Sequence, residues 1–405
     1  MALLFFEGFN RSFDGQDPTP IYAGNWALTP VTSGGSTYTP QFGHTPTKRT
    51  GSGSLYLPSN IGAGNSAQCY AEWSIGTQAN KTLYFGFAGY NFYTGYDSDP
   101  TASPYAATLL RFYSSGGSER FRLDLEIDTT IANALNVNVK NSSGTTLGSF
   151  IYNDIYDNPS YSPARSFGRD KVYSTTYTDV WGYFEVKITT GATVNNIEVR
   201  ANGIALQTSS SQTFISVPSS SPTNDIGKIR FYANETADQY IDDLYLLDNA
   251  SGLNTWLGPT VRVYSPNLYT TNDDVSTATD QEWTAVGTLS LGSHNPDSDY
   301  LTTKLPNKSQ LYVLDSADGL FSMPEENTVA AVQIRSTARE TSLPAAYKQV
   351  FKPNTAGSTT DVVTVNTNAY YESKATLLIN NPATTTSWTI ADLETAHFGI
   401  KSVAR

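Results

Sequence analysis

The sequence is poor in cysteine, histidine and charge. Its single cysteine, Cys69, excludes an intrachain disulfide and a cysteine-based metal site, and only 3 histidines are present. Charged residues make up 15% of the chain, compared with roughly a quarter in typical proteins. The net charge is −12 without any basic run. A nucleic-acid partner is therefore not expected, because lysine and arginine bind the phosphate backbone.

Long apolar runs are also missing. No segment approaches the roughly 18 consecutive apolar residues of a membrane-spanning helix, so we expect no membrane span. The N-terminal stretch MALLFFEGFNRSFDGQD has a short apolar run but no basic start, and it contains Glu7. We therefore expect a first β-strand here rather than a signal peptide, and synthesis in a cytoplasm.

Aromatic residues, by contrast, are abundant, with 26 Tyr, 18 Phe and 6 Trp. Short alternating runs are separated by Gly, Ser, Asn, Pro and Asp, which predicts an antiparallel sandwich or jelly roll. In the N-terminal part of the chain the predicted strands are 2–9, 54–57, 69–75, 82–88, 109–113, 120–127, 135–140, 181–188, 197–206, 228–233 and 240–247.

A second, smaller β unit is expected to follow. We place the division so that residues 1–258 form the jelly roll and residues 259–405 form a C-terminal assembly domain. The polar, Asp-rich segment 266–300 is predicted to be a loop. The predicted strands of this unit are 310–314, 329–336, 346–351 and 368–379.

One short helix is predicted near the C-terminus. Thr389 followed by Asp392 has the spacing of a capping box, which predicts a helix over 390–396. Gly399 is the expected stop signal. Trp388, directly before this helix, is expected to anchor it, whereas Trp73 and Trp181 lie within strand patterns and are predicted core residues. Cys69 is expected to be a small buried side chain.

The stretch YIDDLYLL does not alternate cleanly. Ile241, Leu244 and Leu246 are not all two residues apart. This spacing predicts a β-bulge near Asp242 and Asp243, or a strand buried on both faces.

Short motifs resemble two groups of proteins. FFEGF, GSLYL, WGYFEVKI, IEVRANG and YIDDLYLLD followed by WLG resemble the jelly rolls of concanavalin A-like and laminin-G-like proteins. More narrowly, IDDLYLLDNASGLNTWLGPTVRV, AAVQIRSTAR and NNPATTTSWTIADLETAHFGIK resemble tailed-bacteriophage virion proteins. That resemblance implies a structural, sometimes adhesive, component of the tail, neck, fibre or capsid surface. Such a protein is made in the host bacterial cytoplasm, resides in the virion and has other virion proteins as partners.

The strand RFRLDLEIDTT is the strongest candidate for catalysis. Asp124, Glu126 and Asp128 share one face of it. The pattern resembles the E-x-D-x-E strand of β-glucanases of this fold, where two carboxylates act as nucleophile and general acid. Here both outer glutamates are replaced by the shorter Asp. Arg120 and Arg122 on the same face would keep the carboxylates ionised, and solvation with cross-strand pairing explains the pattern as well. We therefore predict that the protein is not an enzyme.

Pairs of aspartates supply the hard oxygen ligands that Ca²⁺ takes. No loop has the spacing of an EF-hand, and Asp is also common in turns. We therefore expect no cofactor, with Ca²⁺ as the alternative. The candidate ligands are Asp97 with Asp99, Asp242 with Asp243, and Asp297 with Asp299.

The segment GYNFYTGYDSDPTASPY is a candidate binding loop. It carries Tyr90, Phe92, Tyr93, Tyr96 and Tyr105 among small polar residues. Aromatic rings beside Asp and Asn can bind sugar rings or partner proteins, because stacking supplies contact area and the polar groups supply hydrogen bonds. The same rings could cover an edge of the sandwich. For a virion protein we favour a subunit contact over a sugar site.

The composition favours a protein that works in an assembly. We predict a virion structural protein acting through protein–protein contacts as a homo-oligomer, since interfaces are enriched in tyrosine. The strand NAYYESKATLLI, with Tyr370 and Tyr371 on opposite faces, is a second candidate contact surface. The alternative function is a carbohydrate-binding module that recognises a glycan of the host surface.

Overall fold

Nearly all regular structure in this protein, seen in a computed structural model, is β-strand. This confirms the all-β class predicted from the sequence. The structure describes residues 3–7, 9, 26–33, 35–42, 54–58, 68–90, 92–93, 107–127, 135–152, 166–167, 181–218, 224–233, 238–249, 256–259, 261–262, 268–270, 284–286, 300–302, 309–314, 329–338, 346–354, 357–366 and 372–403. No helix within these ranges is long and apolar enough to cross a membrane.

The chain divides into two compact units. The first contains Met1–Ser12 and Gly24–Val263, and the second contains Phe13–Ala23 and Tyr264–Arg405. The division thus falls between Val263 and Tyr264, whereas the sequence analysis placed it between residues 258 and 259. Independent folding of the two units stays a prediction.

The first unit holds the strands from β1 to β19. They are β1 (Leu3–Glu7), β2 (Trp26–Thr29), β3 (Val31–Ser33), β4 (Ser36–Tyr38), β5 (Leu55–Leu57), β6 (Tyr70–Ala79), β7 (Thr82–Tyr90), β8 (Phe92–Tyr93), β9 (Ala107–Tyr113), β10 (Glu119–Ile127), β11 (Leu135–Asn141), β12 (Thr146–Tyr152), β13 (Ser166–Phe167), β14 (Gly182–Thr190), β15 (Val194–Ala201), β16 (Ile204–Ala205), β17 (Ile215–Pro218), β18 (Asp225–Tyr232) and β19 (Gln239–Asp248).

Two antiparallel sheets make the jelly-roll sandwich that the sequence predicts. The eight-stranded sheet has the order β1-β19-β7-β14-β15-β16, with β5 added beside β19 and β17 beside β15. The seven-stranded sheet has the order β12-β11-β10-β9-β18-β6-β2. The chain crosses repeatedly from one sheet to the other, for example between β6 and β7 and on either side of β18. Each predicted strand of this part has a counterpart, whereas β2, β3, β4, β8, β12, β13 and β17 were not predicted.

Aromatic side chains from the inner faces of both sheets form the core. Phe85 and Phe87 of the eight-stranded sheet lie 5.8 and 5.5 Å, centroid to centroid, from Phe231 of the seven-stranded sheet. Trp73 is 2% exposed and Cys69 is fully buried, as predicted. Alternation along each strand then directs the intervening residues to the outer faces.

Strand β19 contains the predicted bulge. Its pairing with β7 shifts register between Asp242 and Tyr245, and Asp243 has a φ of 47°. Every residue from Ile241 to Asp248 is also buried. Both explanations of the irregular spacing are therefore confirmed.

The segment Trp256–Leu257–Gly258, which follows β19, is held against the outer face of the eight-stranded sheet. The Tyr245 ring lies over Gly86, so that a Cβ at Gly86 would stand 2.3 Å from Tyr245 Cε1. The Tyr245 hydroxyl donates to the carboxyl group of Glu185 and accepts from Leu257 N–H at 3.3 Å. Gly258 N–H donates to the same Glu185 oxygen at 2.9 Å. Burial, together with Tyr183 and Glu185, raises the pKa of Tyr245 well above its usual value, so its hydroxyl remains a hydrogen-bond donor.

The second unit holds the remaining elements. They are β20 (Leu268–Thr270), β21 (Thr284–Val286), β22 (Tyr300–Thr302), β23 (Ser309–Leu314), β24 (Val332–Ala338), β25 (Ala346–Lys352), β26 (Thr360–Asn366), β27 (Glu372–Leu378), α1 (Ile390–Thr395) and β28 (His397–Val403). Five strands form a sheet in the order β20-β23-β28-β25-β26, while β21 pairs with β22 and β24 with β27.

Two predictions about this unit are wrong in detail. The segment 266–300 is not simply a loop, since it contains β20 and β21 and reaches the first residue of β22. Gly399 does not end the helix but lies in β28. A Cβ there would stand 1.9 Å from the carbonyl oxygen of Gln310, so glycine permits β28 to approach β23 closely.

The short helix itself is confirmed. The Thr389 side chain accepts from Asp392 N–H, and the Asp392 side chain accepts from Thr389 N–H, which completes the capping box. Trp388 is 2% exposed and its indole N–H donates to the Leu378 carbonyl at 2.9 Å. Its ring packs against Phe351 at 5.5 Å, so it anchors the helix as expected.

Candidate functional site

Four aromatic side chains lie side by side across one end of the eight-stranded sheet. Tyr240 of β19 pairs with Tyr56 of β5 on one side and with Tyr90 of β7 on the other. Trp181 directly precedes β14, at the point where Gly182 pairs with Gly89. Neighbouring ring centroids are 5.4 Å apart for Tyr56 and Tyr240, 5.8 Å for Tyr240 and Tyr90, and 5.7 Å for Tyr90 and Trp181. We call these four residues the aromatic row.

Strand alternation places the aromatic row on the outer face. Leu55, Leu57 and Ile241, which flank Tyr56 and Tyr240 in sequence, are fully buried. All four residues of the row are half-buried. Successive side chains of a strand point to opposite faces, so the rings lie on the face away from the core and keep part of their surface accessible.

Polar groups border the rings. The Tyr56 hydroxyl is hydrogen-bonded to the Asp238 carboxylate, and burial together with this negative charge raises the pKa of Tyr56 well above its usual value. Tyr56 therefore stays a neutral phenol at ordinary pH. The indole nitrogen of Trp181 is buried and has no hydrogen-bond partner among the residues that the structure describes. The row thus combines ring surface with hydrogen-bonding groups at its border.

Only part of the predicted binding loop falls within the description. Tyr90 belongs to the aromatic row, and Phe92 and Tyr93 form β8, which pairs with Ser166 and Phe167 of β13. Tyr96 and Tyr105 lie outside the described residues.

The sequence did not identify three of the four row residues. Tyr56 and Tyr240 were not singled out, and the core assignment of Trp181 is wrong, because Trp181 is half-buried and packs against Tyr90. The alternation of buried and half-buried residues could have placed Tyr56 and Tyr240 on an outer face. Which strands pair must also be known before these residues can be recognised as neighbours.

Acidic side chains of β10 form ion pairs and hydrogen bonds with neighbouring residues. Asp124 is 3% exposed and lies 3.3 Å from Arg122 Nε and 3.0 Å from Lys140 Nζ. Glu126 accepts a hydrogen bond from the Asn138 amide. Asp124 thus belongs to a network of ion pairs with Arg122 and Lys140. Asp128 lies outside the described residues.

Arg120 does not have the role that was predicted for it. Its guanidinium pairs with Asp225 at 2.9 Å and also donates to the Asp225 carbonyl. A register shift between Glu119 and Phe121 interrupts the alternation at this position. Of the two arginines that were predicted to pair with the acidic face of β10, Arg122 therefore contacts Asp124, whereas Arg120 pairs with Asp225.

A second group of charges covers the outer face of the seven-stranded sheet. Glu72 lies 2.8 Å from Lys228 Nζ and 2.6 Å from Arg230 Nε. The Arg230 guanidinium also stacks over the rings of Tyr70 and Tyr113, at 4.6 and 4.1 Å from their centroids. Although burial by itself raises the pKa of Glu72, these two cations hold it below its usual value.

The aspartates proposed as calcium ligands are only partly described. Asp242 and Asp243 are fully buried in the bulge of β19, and Asp242 Oδ1 accepts from Asp243 N–H at 2.7 Å. They supply hard oxygens, but Ca²⁺ takes about six to eight. Among the described residues no group of three or more His, Cys, Asp or Glu side chains could hold a metal. Asp97, Asp99, Asp297 and Asp299 lie outside the description.

Comparisons with known proteins find similarity in solved structures alone. No protein-family model matches the chain, and no curated protein matches it. A protein of unknown function with a galectin-like fold from Bacillus subtilis has 10% identity and a TM-score of 0.31, covering 61% of this chain and 96% of that chain. The Lotus tetragonolobus seed lectin has 8% identity and a TM-score of 0.28, covering 61% and 99%. The VIP36 exoplasmic/lumenal domain has 9% identity and a TM-score of 0.30, covering 64% and 98%. Similarity at this level carries no argument about the ligand of this chain.

Proposed function

We propose that the protein is a carbohydrate-binding protein whose ligand stacks on the aromatic row. The observation that carries the proposal is the row itself, in which half-buried rings from adjacent strands stand on an outer sheet face. Their spacing follows from strand pairing, so a rigid sheet holds the rings in place.

A sugar ring matches this surface chemically. A pyranose has an apolar face of C–H groups and a border of hydroxyls, and aromatic faces with polar groups beside them complement both. Tyr56 and Asp238 already form such a polar border. Because the rings are held by the sheet, little conformational entropy is lost when a ligand binds.

The experiment is a glycan array with the full chain, followed by calorimetric titration of each retained glycan. Trp181→Ala removes one ring of the row, and we expect affinity to fall roughly tenfold, since one aromatic contact contributes about 0.5–1.5 kcal/mol beyond its buried area. Trp256→Ala is the matched control, because Trp256 packs on Tyr84 away from the row. The proposal fails if no glycan is retained, or if Trp181→Ala binds as tightly as the unchanged chain.

A role in virion assembly remains a second candidate, supported by the sequence motifs and by the enrichment of aromatic residues at interfaces. Two measurements test it. Light scattering on the purified chain gives the oligomeric state, and mass spectrometry of purified phage particles tests for the protein in virions. A monomer that is absent from particles would leave carbohydrate binding as the better function.

We also propose that Asp242 and Asp243 supply the side-chain oxygens for a bound Ca²⁺. A chelator-treated chain should then melt at a higher temperature after CaCl₂ is added, because a ligand of the folded state stabilises it. Asp243→Asn should abolish that increase. An increase of the same size in the variant would place any calcium elsewhere.

A further inference from the structure

A groove of about 630 Å³ lies at one edge of the sandwich, away from the aromatic row. One wall is formed by β11 and β12, with Asn136, Ser149 and Ile151. The other wall is the segment from Thr208 to Ser216, which leads into β17. A backbone hydrogen bond from Ile151 N–H to the Gln207 carbonyl, at 2.9 Å, joins the two walls. The volume lies within the range of about 300–1,000 Å³ found for small-molecule sites.

The groove is lined by neutral polar groups. None of the described residues that line it is charged, although the chain as a whole has a net charge of −12. Hydroxyl and amide side chains predominate, among them Asn136, Ser149, Thr208 and Gln212. A charged ligand would find no opposite charge there, so the lining favours a neutral ligand with many hydrogen-bonding groups.

Internal hydrogen bonds orient these hydroxyls. Ser149 donates to the Asn138 amide oxygen at 2.5 Å, and Ser216 donates to the Asn196 amide oxygen at 2.8 Å. Each serine has thereby used its one proton, and its oxygen is left to accept. At Ser149 and Ser216 a ligand must therefore supply the donors, as the hydroxyls of a sugar do.

An exposed aromatic side chain, Phe214, also lines the groove. Phe214 is 46% exposed and lines the groove; the other large hydrophobic residue exposed among those described, Ile204 at 54%, does not line it. Exposing a phenyl ring to water is unfavourable, and a ring beside hydroxyl acceptors can pack against the C–H face of a sugar.

We propose that this groove is a second binding site, for a neutral oligosaccharide, that packs a sugar ring on Phe214 and receives its hydroxyls on Ser149 and Ser216. The site shares no residue with the aromatic row. It does not depend on the row binding sugar, and either site can exist without the other.

The test uses the full chain and a panel of neutral hexasaccharides, namely cellohexaose, maltohexaose, laminarihexaose and mannohexaose, with oligogalacturonate as the charged comparison. Trp181→Ala is the starting background, so that binding by the aromatic row is weakened roughly tenfold. We expect at least one neutral hexasaccharide to bind by calorimetry and oligogalacturonate not to bind. Adding Phe214→Ala should weaken that binding roughly tenfold, whereas adding Ile204→Ala, the matched control on the same sheet edge, should leave it unchanged.

Both added substitutions are at exposed residues, and equal melting temperatures would show that folding is intact. The groove proposal is overturned if no neutral hexasaccharide binds the Trp181→Ala chain, or if Phe214→Ala leaves its affinity unchanged. Binding that is lost in Trp181→Ala but kept in Phe214→Ala supports the aromatic row and rejects the groove. The reverse result supports the groove and rejects the row.

Discussion

Gly86 in the centre of the eight-stranded sheet is predicted to be intolerant of even one added carbon. It lies under the ring of Tyr245, which is 1% exposed. In Gly86→Ala the new Cβ would stand 2.3 Å from Cε1, 2.8 Å from Cζ and 3.1 Å from Cδ1 of that ring. Carbon atoms in contact prefer separations of about 3.5–4.0 Å. The ring must therefore retreat by about 1.2 Å to reach even the short end of that range.

The ring cannot retreat without breaking its hydrogen bonds. Its hydroxyl donates to Glu185 and accepts from Leu257 N–H. Overpacking a core costs about 1–3 kcal/mol, and leaving a buried hydroxyl unpaired costs about 1–3 kcal/mol more. We expect Gly86→Ala to lower the free energy of unfolding by about 4 kcal/mol. For a unit of this size that corresponds to a fall in melting temperature on the order of 10 °C.

Urea unfolding followed by tryptophan fluorescence measures this change, because Trp73 and Trp26 stack in the core of the same unit. Gly116→Ala is the control: its Cβ would meet nothing closer than Ser114 Oγ at 3.8 Å, so its effect should stay within about 0.5 kcal/mol. In a Tyr245→Ala background the cost of Gly86→Ala should largely disappear. An unchanged stability of Gly86→Ala, or an equal loss in both backgrounds, would refute the reasoning.

Three further outcomes are expected. Burial raises the pKa of the Cys69 thiol to about 12, so a thiol reagent should label the folded chain far more slowly than the urea-unfolded chain; equal rates would contradict this. Hydrolysis of a β-glucan panel should be absent, and reducing sugar whose release disappears in Glu126→Gln would show the protein to be an enzyme. The lowered pKa of Glu72 stabilises the fold above the ordinary glutamate pKa, and this contribution is lost as the pH falls through the lowered value. Glu72→Gln should therefore weaken the pH dependence of stability in the acidic range, and an unchanged acid-unfolding curve would show that the pairs with Lys228 and Arg230 contribute nothing.

Local pattern was enough to predict much of the fold. Alternating residues in β15 indicated a strand because one face of it is buried and the other is more exposed. The irregular spacing around Asp242 predicted the bulge, and Thr389 with Asp392 predicted the start of the helix, since a capping box needs only residues three apart. These features depend on neighbours in the chain.

Signals that depend on distant residues were misjudged. Gly399 was expected to end a helix, but what requires glycine there is the Gln310 carbonyl on a neighbouring strand. Arg120 was assigned to the carboxylates of its own strand, whereas it pairs with Asp225. Trp181 was assigned to the core because its strand pattern does not show which face of the sheet is covered.

The sequence by itself determined many of the strands and the apolar side of most of these, because both are properties of successive residues. Only the tertiary structure decided which strands are adjacent. Tyr56, Tyr90, Trp181 and Tyr240 lie on four different segments, and strand pairing alone brings each ring within 6 Å of its neighbour in the row. The groove beside Phe214 likewise exists because the edge strand β12 meets the segment that precedes β17. Long-range pairing maximises the burial of the apolar faces of whole sheets, and no local pattern records its outcome.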